Sequence, residues 1–269
     1  MPDVVANGVR LAYEVTGDGD PVVLVCGTGQ PAITWHLMQV PALTAAGYKV
    51  VTFDNRGMPP SDCPSGPYSV AEMAADAAGL IEALDLAPCR VAGLSLGAFI
   101  TQELALARPE VVRGAVMMGT LGRQNAFLRA NIASWIELDD SGIELPRLYD
   151  TMSTMPTLFS PFALADDEQV NGFLAFSQAS PRWEGPGVRG QHEADVAYDN
   201  RLESLAAIDV PCMVIAFELD VLTHASLGRE VATAIPGAKL IEIARTGHAG
   251  PLENPVEVNA ALIEFFASC

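Results

Sequence analysis

The chain has 269 residues, half of them hydrophobic, and its 33 Asp and Glu against 15 Lys and Arg give a formal charge of −18. That length accommodates one large domain with a full core, and no apolar run approaches the roughly 18 residues of a membrane helix. Without a basic stripe to displace phosphate counterions, the acidity excludes nucleic acid and anionic membranes as partners and reads as a solvated surface.

The opening Met1-Pro2-Asp3-Val4-Val5 has neither the basic leader nor the apolar stretch of a secretory signal, which points to the cytoplasm. Cys26, Cys63, Cys89, Cys212 and Cys269 are scattered and lack C-x-x-C spacing. They read as reduced thiols, not as a disulfide framework or zinc site, and no metal or other cofactor is expected.

Residues 4–6 and 9–15 flank Asn7-Gly8, a pair suited to a two-residue hairpin turn. Val9, Leu11, Tyr13 and Val15 alternate with Arg10, Ala12 and Glu14, so the second arm should have one solvated face. Short continuous apolar runs follow at 22–26, 50–53, 90–94, 115–118, 212–217 and 240–243, the signature of strands buried on both faces. Helical stretches at 70–85, 97–108 and 255–267 alternate with them, the first carrying an apolar stripe of Val70, Met73, Ala74, Ala77, Ile81 and Leu84. The expectation is an α/β fold: a doubly wound, mostly parallel sheet of eight strands.

About ninety residues separate Gly119 from Cys212, too many for a structureless loop in a compact domain. We read an inserted helical cap over 122–205, dividing a core into 1–121 and 206–269. Its apolar residues include Phe127, Leu128, Trp135, Met152, Met155, Leu158, Phe159, Phe162, Phe173, Leu174, Phe176 and Trp183. Most should pack the cap onto the core, and Phe127, Trp135 and Phe159 are candidates for a substrate-pocket wall.

Gly93-Leu94-Ser95-Leu96-Gly97 runs from an apolar strand into a helix. A nucleophile on such a sharp turn needs small residues two before and two after it, and the helix directs its first amides at an oxyanion. Downstream, Asp220 follows the strand at 212–217, and His248 follows the strand at 240–243 in a glycine-flanked loop. A serine hydroxyl needs an imidazole to take its proton, and an acid to fix the imidazole tautomer. Of four histidines, only His248 has this setting. The Leu96 amide and the Thr28 amide, in Cys26-Gly27-Thr28-Gly29-Gln30, are the expected oxyanion donors.

Gly27-Thr28-Gly29-Gln30-Pro31-Ala32 also matches G-x-G-x-x-A, with Asp54 ending the next strand, as in dinucleotide folds. That alternative leaves the ordered Ser95, Asp220 and His248 unexplained.

Cys26-Gly27-Thr28-Gly29, Phe53-Asp54-Asn55-Arg56-Gly57, the Ser95 pentapeptide, Asp220 and Gly247-His248 together resemble the α/β-hydrolase superfamily over nearly the whole chain. Trp35-His36, Gln39-Val40-Pro41 and Gly228-Arg229-Glu230-Val231-Ala232 make it similar to the bacterial cofactor-free haloperoxidase or perhydrolase branch and its esterase relatives. The resemblance implies the same triad and oxyanion hole. Two departures stand out: Cys26 occupies a position where the family often has histidine, altering the expected pocket floor, and a turn reads Gly57-Met58-Pro59-Pro60-Ser61.

The expected activity is acyl transfer from an ester, lactone or thioester of a small, largely apolar or peptide-derived substrate, with perhydrolysis as a side reaction. A tailoring enzyme on the same scaffold, cleaving, opening or cyclising its substrate, and a noncatalytic small-molecule binder are the alternatives. Oligomeric state is not legible in the sequence.

Overall fold

A computed structural model describes residues 1–181 and 186–269; Trp183, counted above among the cap residues, lies outside them. Asn7 and Gly8, at φ 48° and 78°, turn β1 (Asp3–Ala6) into antiparallel β2 (Val9–Thr16) with Ala6 opposite Val9. The expected alternation holds at Val9 and Leu11 and then fails. Ala12 is buried, its amide donating to Ser61 Oγ at 2.8 Å, and Val15 is exposed.

The chain continues through β3 (Asp20–Val25), α1 (Trp35–Ala45), β4 (Tyr48–Phe53), α2 (Val70–Ala83), β5 (Cys89–Leu94), α3 (Leu96–Ala107) and β6 (Val112–Met118). Ser69 and Glu72 close a reciprocal capping box at the start of α2, which stabilises that end by about 1 kcal/mol. The long interval then supplies only helices among the described residues: α4 (Ala126–Ser141), α5 (Arg147–Leu158), α6 (Pro161–Leu164), α7 (Asp167–Ala179), α8 (Gly187–Ala197) and α9 (Leu202–Leu205). The chain ends with β7 (Cys212–Phe217), α10 (Ala225–Ala234), β8 (Lys239–Ile243), α11 (Gly250–Glu253) and α12 (Pro255–Ala267). Helices α1 and α10 were not anticipated. Pro41 sits inside α1, and buried Gln39 interrupts its apolar face.

The eight strands form one sheet in the order β1-β2-β4-β3-β5-β6-β7-β8, parallel from β4 through β8. Its two faces divide the strand residues by parity. Val23, Val25, Val91 and Met117 pack with α2, α3 and α10, while Val22, Leu24, Ala92 and Met118 pack with α1 and α12. The run at 240–243 corrects the sequence reading: β8 pairs only with β7, and Leu240 and Glu242 are exposed, so this strand is an edge and not buried on both faces. Among the described residues no helix is long and apolar enough to cross a membrane.

Helix α8 meets the segment between β4 and α2 through glycines. A Cβ on Gly187 would stand 2.0 Å from Gly57 O, and one on Gly190 would stand 2.7 Å from the Tyr68 ring. On α7, by contrast, a Cβ on Gly172 would meet nothing within 4 Å. Gly187→Ala is therefore expected to lower stability by about 1–3 kcal/mol, and Gly172→Ala to raise it by up to about 1 kcal/mol. Urea denaturation midpoints of the two variants check the contrast; equal effects would contradict this packing.

Candidate active site

Ser95 joins β5 to α3 at φ 56° and ψ −120°, a backbone conformation that costs a non-glycine residue about 1–3 kcal/mol. The expected need for small neighbours is met literally. A Cβ on Gly93 would lie 2.0 Å from Gly97 O, and one on Gly97 would lie 2.2 Å from Val25 O. The Ser95 amide donates to Met118 O at 3.0 Å, which pins the turn to the end of β6. Leu96 begins α3, so its amide has no carbonyl one turn back and points out of the positive end of the helix.

Asp220 lies three residues past β7 and is 1% exposed. Its Oδ1 accepts the Leu222 and Thr223 amides at 2.8 and 2.9 Å, and its Oδ2 accepts Thr223 Oγ1 and contacts His248 Nδ1, both at 2.7 Å. Burial by itself raises the Asp220 pKa. The His248 charge and the bonds from His248 and Thr223 outweigh it and hold the carboxyl below its ordinary range. Glu218, the neighbouring acid, is exposed and accepts the Arg245 amide at 2.7 Å.

His248 occupies the loop between β8 and α11, and this loop is clamped to the cap. Glu253 Oε2 accepts the amides of Gly247 and Ser160, both at 3.0 Å, and the Ala249 amide donates to Leu158 O at 2.7 Å.

Ser95 and His248 border one cavity of about 710 Å³. No direct hydrogen bond joins them among the described residues, a looseness common in sites that tighten around substrate. Thr28 borders the same cavity. Gln30 Oε1 takes the Gly27 amide at 2.9 Å and Gln191 Oε1 takes the Gly29 amide at 2.8 Å, and no described group accepts the Thr28 amide between them.

The pocket-wall expectations fare unevenly. Trp135 borders the cavity. Phe127 does not, and is 51% exposed. The cavity face of α4 carries Leu128, Ile132 and Trp135 at i, i+4, i+7 spacing, with Asn131 at its edge, and Phe127, about 100° around the helix from Leu128, turns to solvent. Phe159 is likewise absent from the wall. It packs edge-on against Phe173 with ring centroids 4.8 Å apart, leaving Leu158, Phe173 and Phe176 to face the cavity. Cys26 is fully buried in the layer beneath α1, so it does not form the pocket floor. Burial, then the Asp54 charge, push its thiol well up, which argues against a thiolate nucleophile there. Asp54 in turn directs Oδ1 at the Ala32 amide at 2.7 Å and is 3% exposed. Its role is to shape the Gly27–Ala32 loop, not to meet a ribose.

Sequence reading missed the contribution of α8. Gln191 bridges the Gly29 amide and Arg56 O, the latter at 2.8 Å. Asp195 Oδ2 accepts Thr28 Oγ1, and both Asp195 and His192 border the cavity. Val188, Gln191, His192 and Asp195 follow helical i, i+3, i+4, i+7 spacing. That polar face beside Gly187 and Gly190 was the available signal. Burial lowers the His192 pKa to about 4. Burial raises that of Asp195 to about 7, against the lowering effects of Thr28 and His248.

Residues 22–261 match the model of the alpha/beta hydrolase family. The chain is 44% identical over 260 residues, 97% of its length and 98% of the relative's, to a Mycobacterium tuberculosis H37Rv protein provisionally named non-heme bromoperoxidase BpoC. The crystal structure of that protein aligns with a TM-score of 0.91, covering 96% of both chains at 43% identity. A protein of Azorhizobium caulinodans provisionally named carbamate hydrolase RutD is 32% identical, with 98% of each chain covered. Rhodomycin D methylesterase DnrP of Streptomyces peucetius is 28% identical, with 94% of each covered.

The raised pKa of Asp195 has a consequence for stability. Between the ordinary carboxylate value of 3.8 and about 7, the folded chain keeps a proton that the unfolded chain has released, so stability falls as pH rises through that window. Asp195→Asn retains an acceptor for Thr28 and removes the ionisation. It is expected to gain about 2–3 kcal/mol on the native protein between pH 5 and pH 8, read by urea denaturation at both pH values. A difference that does not change with pH would contradict the assignment.

Proposed function

The chain belongs to the alpha/beta hydrolase family, and on that premise we propose that it is a serine hydrolase acting by acyl transfer on an ester, lactone or thioester of a small, largely apolar substrate. The observation that carries this reading is the buried Asp220–His248 pair, 2.7 Å apart, whose His248 borders the same cavity as Ser95.

In this scheme His248 takes the Ser95 proton as Ser95 Oγ attacks the carbonyl carbon, and Asp220 holds the imidazole tautomer and offsets the charge of the imidazolium. The carbonyl oxygen becomes an oxyanion between the Leu96 and Thr28 amides, donors already fixed in place before the charge develops. His248 then protonates the leaving group, and Ser95 retains the acyl chain. Water, deprotonated by His248, attacks the acyl-enzyme and releases the acid and free Ser95.

Hydrogen peroxide in place of water yields a peracid, which oxidises halide in solution and is itself reduced to the carboxylic acid. The bromoperoxidase name of the Mycobacterium tuberculosis relative supports that side reaction, and the methylesterase and carbamate hydrolase names support small-molecule acyl substrates. Leu128, Ile132, Trp135, Phe173, Phe176 and Val188 line the cavity and favour an apolar body on the substrate.

With 4-nitrophenyl esters of increasing chain length, assayed with and without peroxide, Ser95→Ala and His248→Ala are each expected to lower kcat by several orders of magnitude, up to about a millionfold. Asp220→Asn should lower it about ten-thousandfold by presenting the wrong tautomer. Unchanged turnover in Ser95→Ala would contradict the scheme.

A further inference from the structure

The acyl-transfer scheme leaves two polar side chains at the cavity unused. Asp195, 5% exposed, accepts the Thr28 Oγ1 hydroxyl at Oδ2, while its Oδ1 is buried and has no partner among the described residues. His192, one turn earlier on α8, also borders the cavity with its Nδ1 buried and without a partner among the described residues. The backbone holding them is fixed: Gln124 Nε2 donates to Asp195 O at 2.7 Å and to Tyr198 O at 3.1 Å. A buried polar atom without a partner is costly, and a constellation of two at a substrate cavity is where a ligand group restores the lost hydrogen bonds.

We propose that Asp195 and His192 form a specificity-determining subsite that receives a hydroxyl group of the substrate, carried within about three atoms of the scissile carbonyl on the acyl or the alcohol side. The proposal rests on the acyl-transfer reading and names the substrate class for it. Position follows from Thr28, whose hydroxyl binds Asp195 and whose amide is assigned to the oxyanion.

The choice of a hydroxyl follows from what the subsite can accept. Burial leaves His192 neutral and places Asp195 near its midpoint around neutrality, at about 7. The group opposite them must therefore donate to a carboxylate or accept from a carboxylic acid, and must suit either imidazole tautomer. A hydroxyl, with one donor and two lone pairs, does both. A substrate carboxylate would be repelled by ionised Asp195, and an ammonium has no lone pair for the protonated form.

The test compares ethyl butyrate, ethyl 2-hydroxybutyrate and 2-hydroxyethyl butyrate by pH-stat, so that the hydroxyl is added to the acyl side or to the alcohol side of one parent ester. At least one hydroxylated ester is expected to exceed ethyl butyrate in kcat/KM by about tenfold. Asp195→Leu and His192→Phe should bring that ratio toward one, and Asp195→Asn should retain part of it. Each ratio is taken on a single variant, so general losses cancel. If Asp195→Leu fails to fold, the native ratio and the other two variants decide. Hydroxylated esters cleaved no better than the parent, or a preference that survives both Asp195→Leu and His192→Phe, would overturn the proposal. Fluorophosphonate labelling of Ser95 separates the two levels: labelling without hydroxyl preference overturns the subsite alone, whereas absence of both labelling and turnover counts against the serine scheme as well.

Discussion

The turn at Ser95 is the constraint around which the rest is arranged. It requires backbone to touch backbone at Gly93, Gly97 and Val25, and that contact exists only because β3 and β5 are neighbours in a parallel sheet. The same adjacency delivers the Gly27–Gln30 loop to the nucleophile. β6 then anchors the Ser95 amide through Met118, and β7 and β8, next in order, bring Asp220 and His248 to the same edge. Parallel strands collect their carboxyl ends on one side, so residues far apart in sequence converge without any long excursion of the chain.

Onto this edge the cap imposes a second layer of order. Gln191 and Asp195 of α8 grip the Gly29 amide and the Thr28 hydroxyl, and the Gly187–Gly57 contact lets the helix come close enough to do so. On the other side Glu253 ties Ser160 to the histidine loop. Orientation of the proposed oxyanion donor and placement of the proposed base both depend on cap residues. Changes in the cap can therefore alter rate as well as substrate fit.

The sheet and the candidate triad were legible in the sequence because each leaves a local mark. Buried parallel strands read as unbroken apolar runs, and the Ser95 turn demands glycines at fixed offsets. What escaped was long-range. The Asp195 to Thr28 contact spans 167 positions, and the polar face of α8 marks that helix without indicating which loop it meets. Some errors were avoidable. Val22, Leu24 and Cys26 share one parity, and this places Cys26 under α1 with its neighbours, away from the cavity. The same periodic argument on α4 selects Leu128, Ile132 and Trp135 over Phe127. The edge position of β8 could not be read from an apolar run, since burial there is decided by which strand comes last in the sheet.

The central claim is that Ser95 carries the acyl group between the two halves of the reaction. Rapid acid quench during turnover of 4-nitrophenyl butyrate, followed by peptide mass spectrometry, tests it most directly. The account predicts a butyryl adduct on Ser95 that decays as free acid is released. Steady turnover with no adduct there, or with the adduct on another side chain such as Thr28 or Cys26, would contradict it.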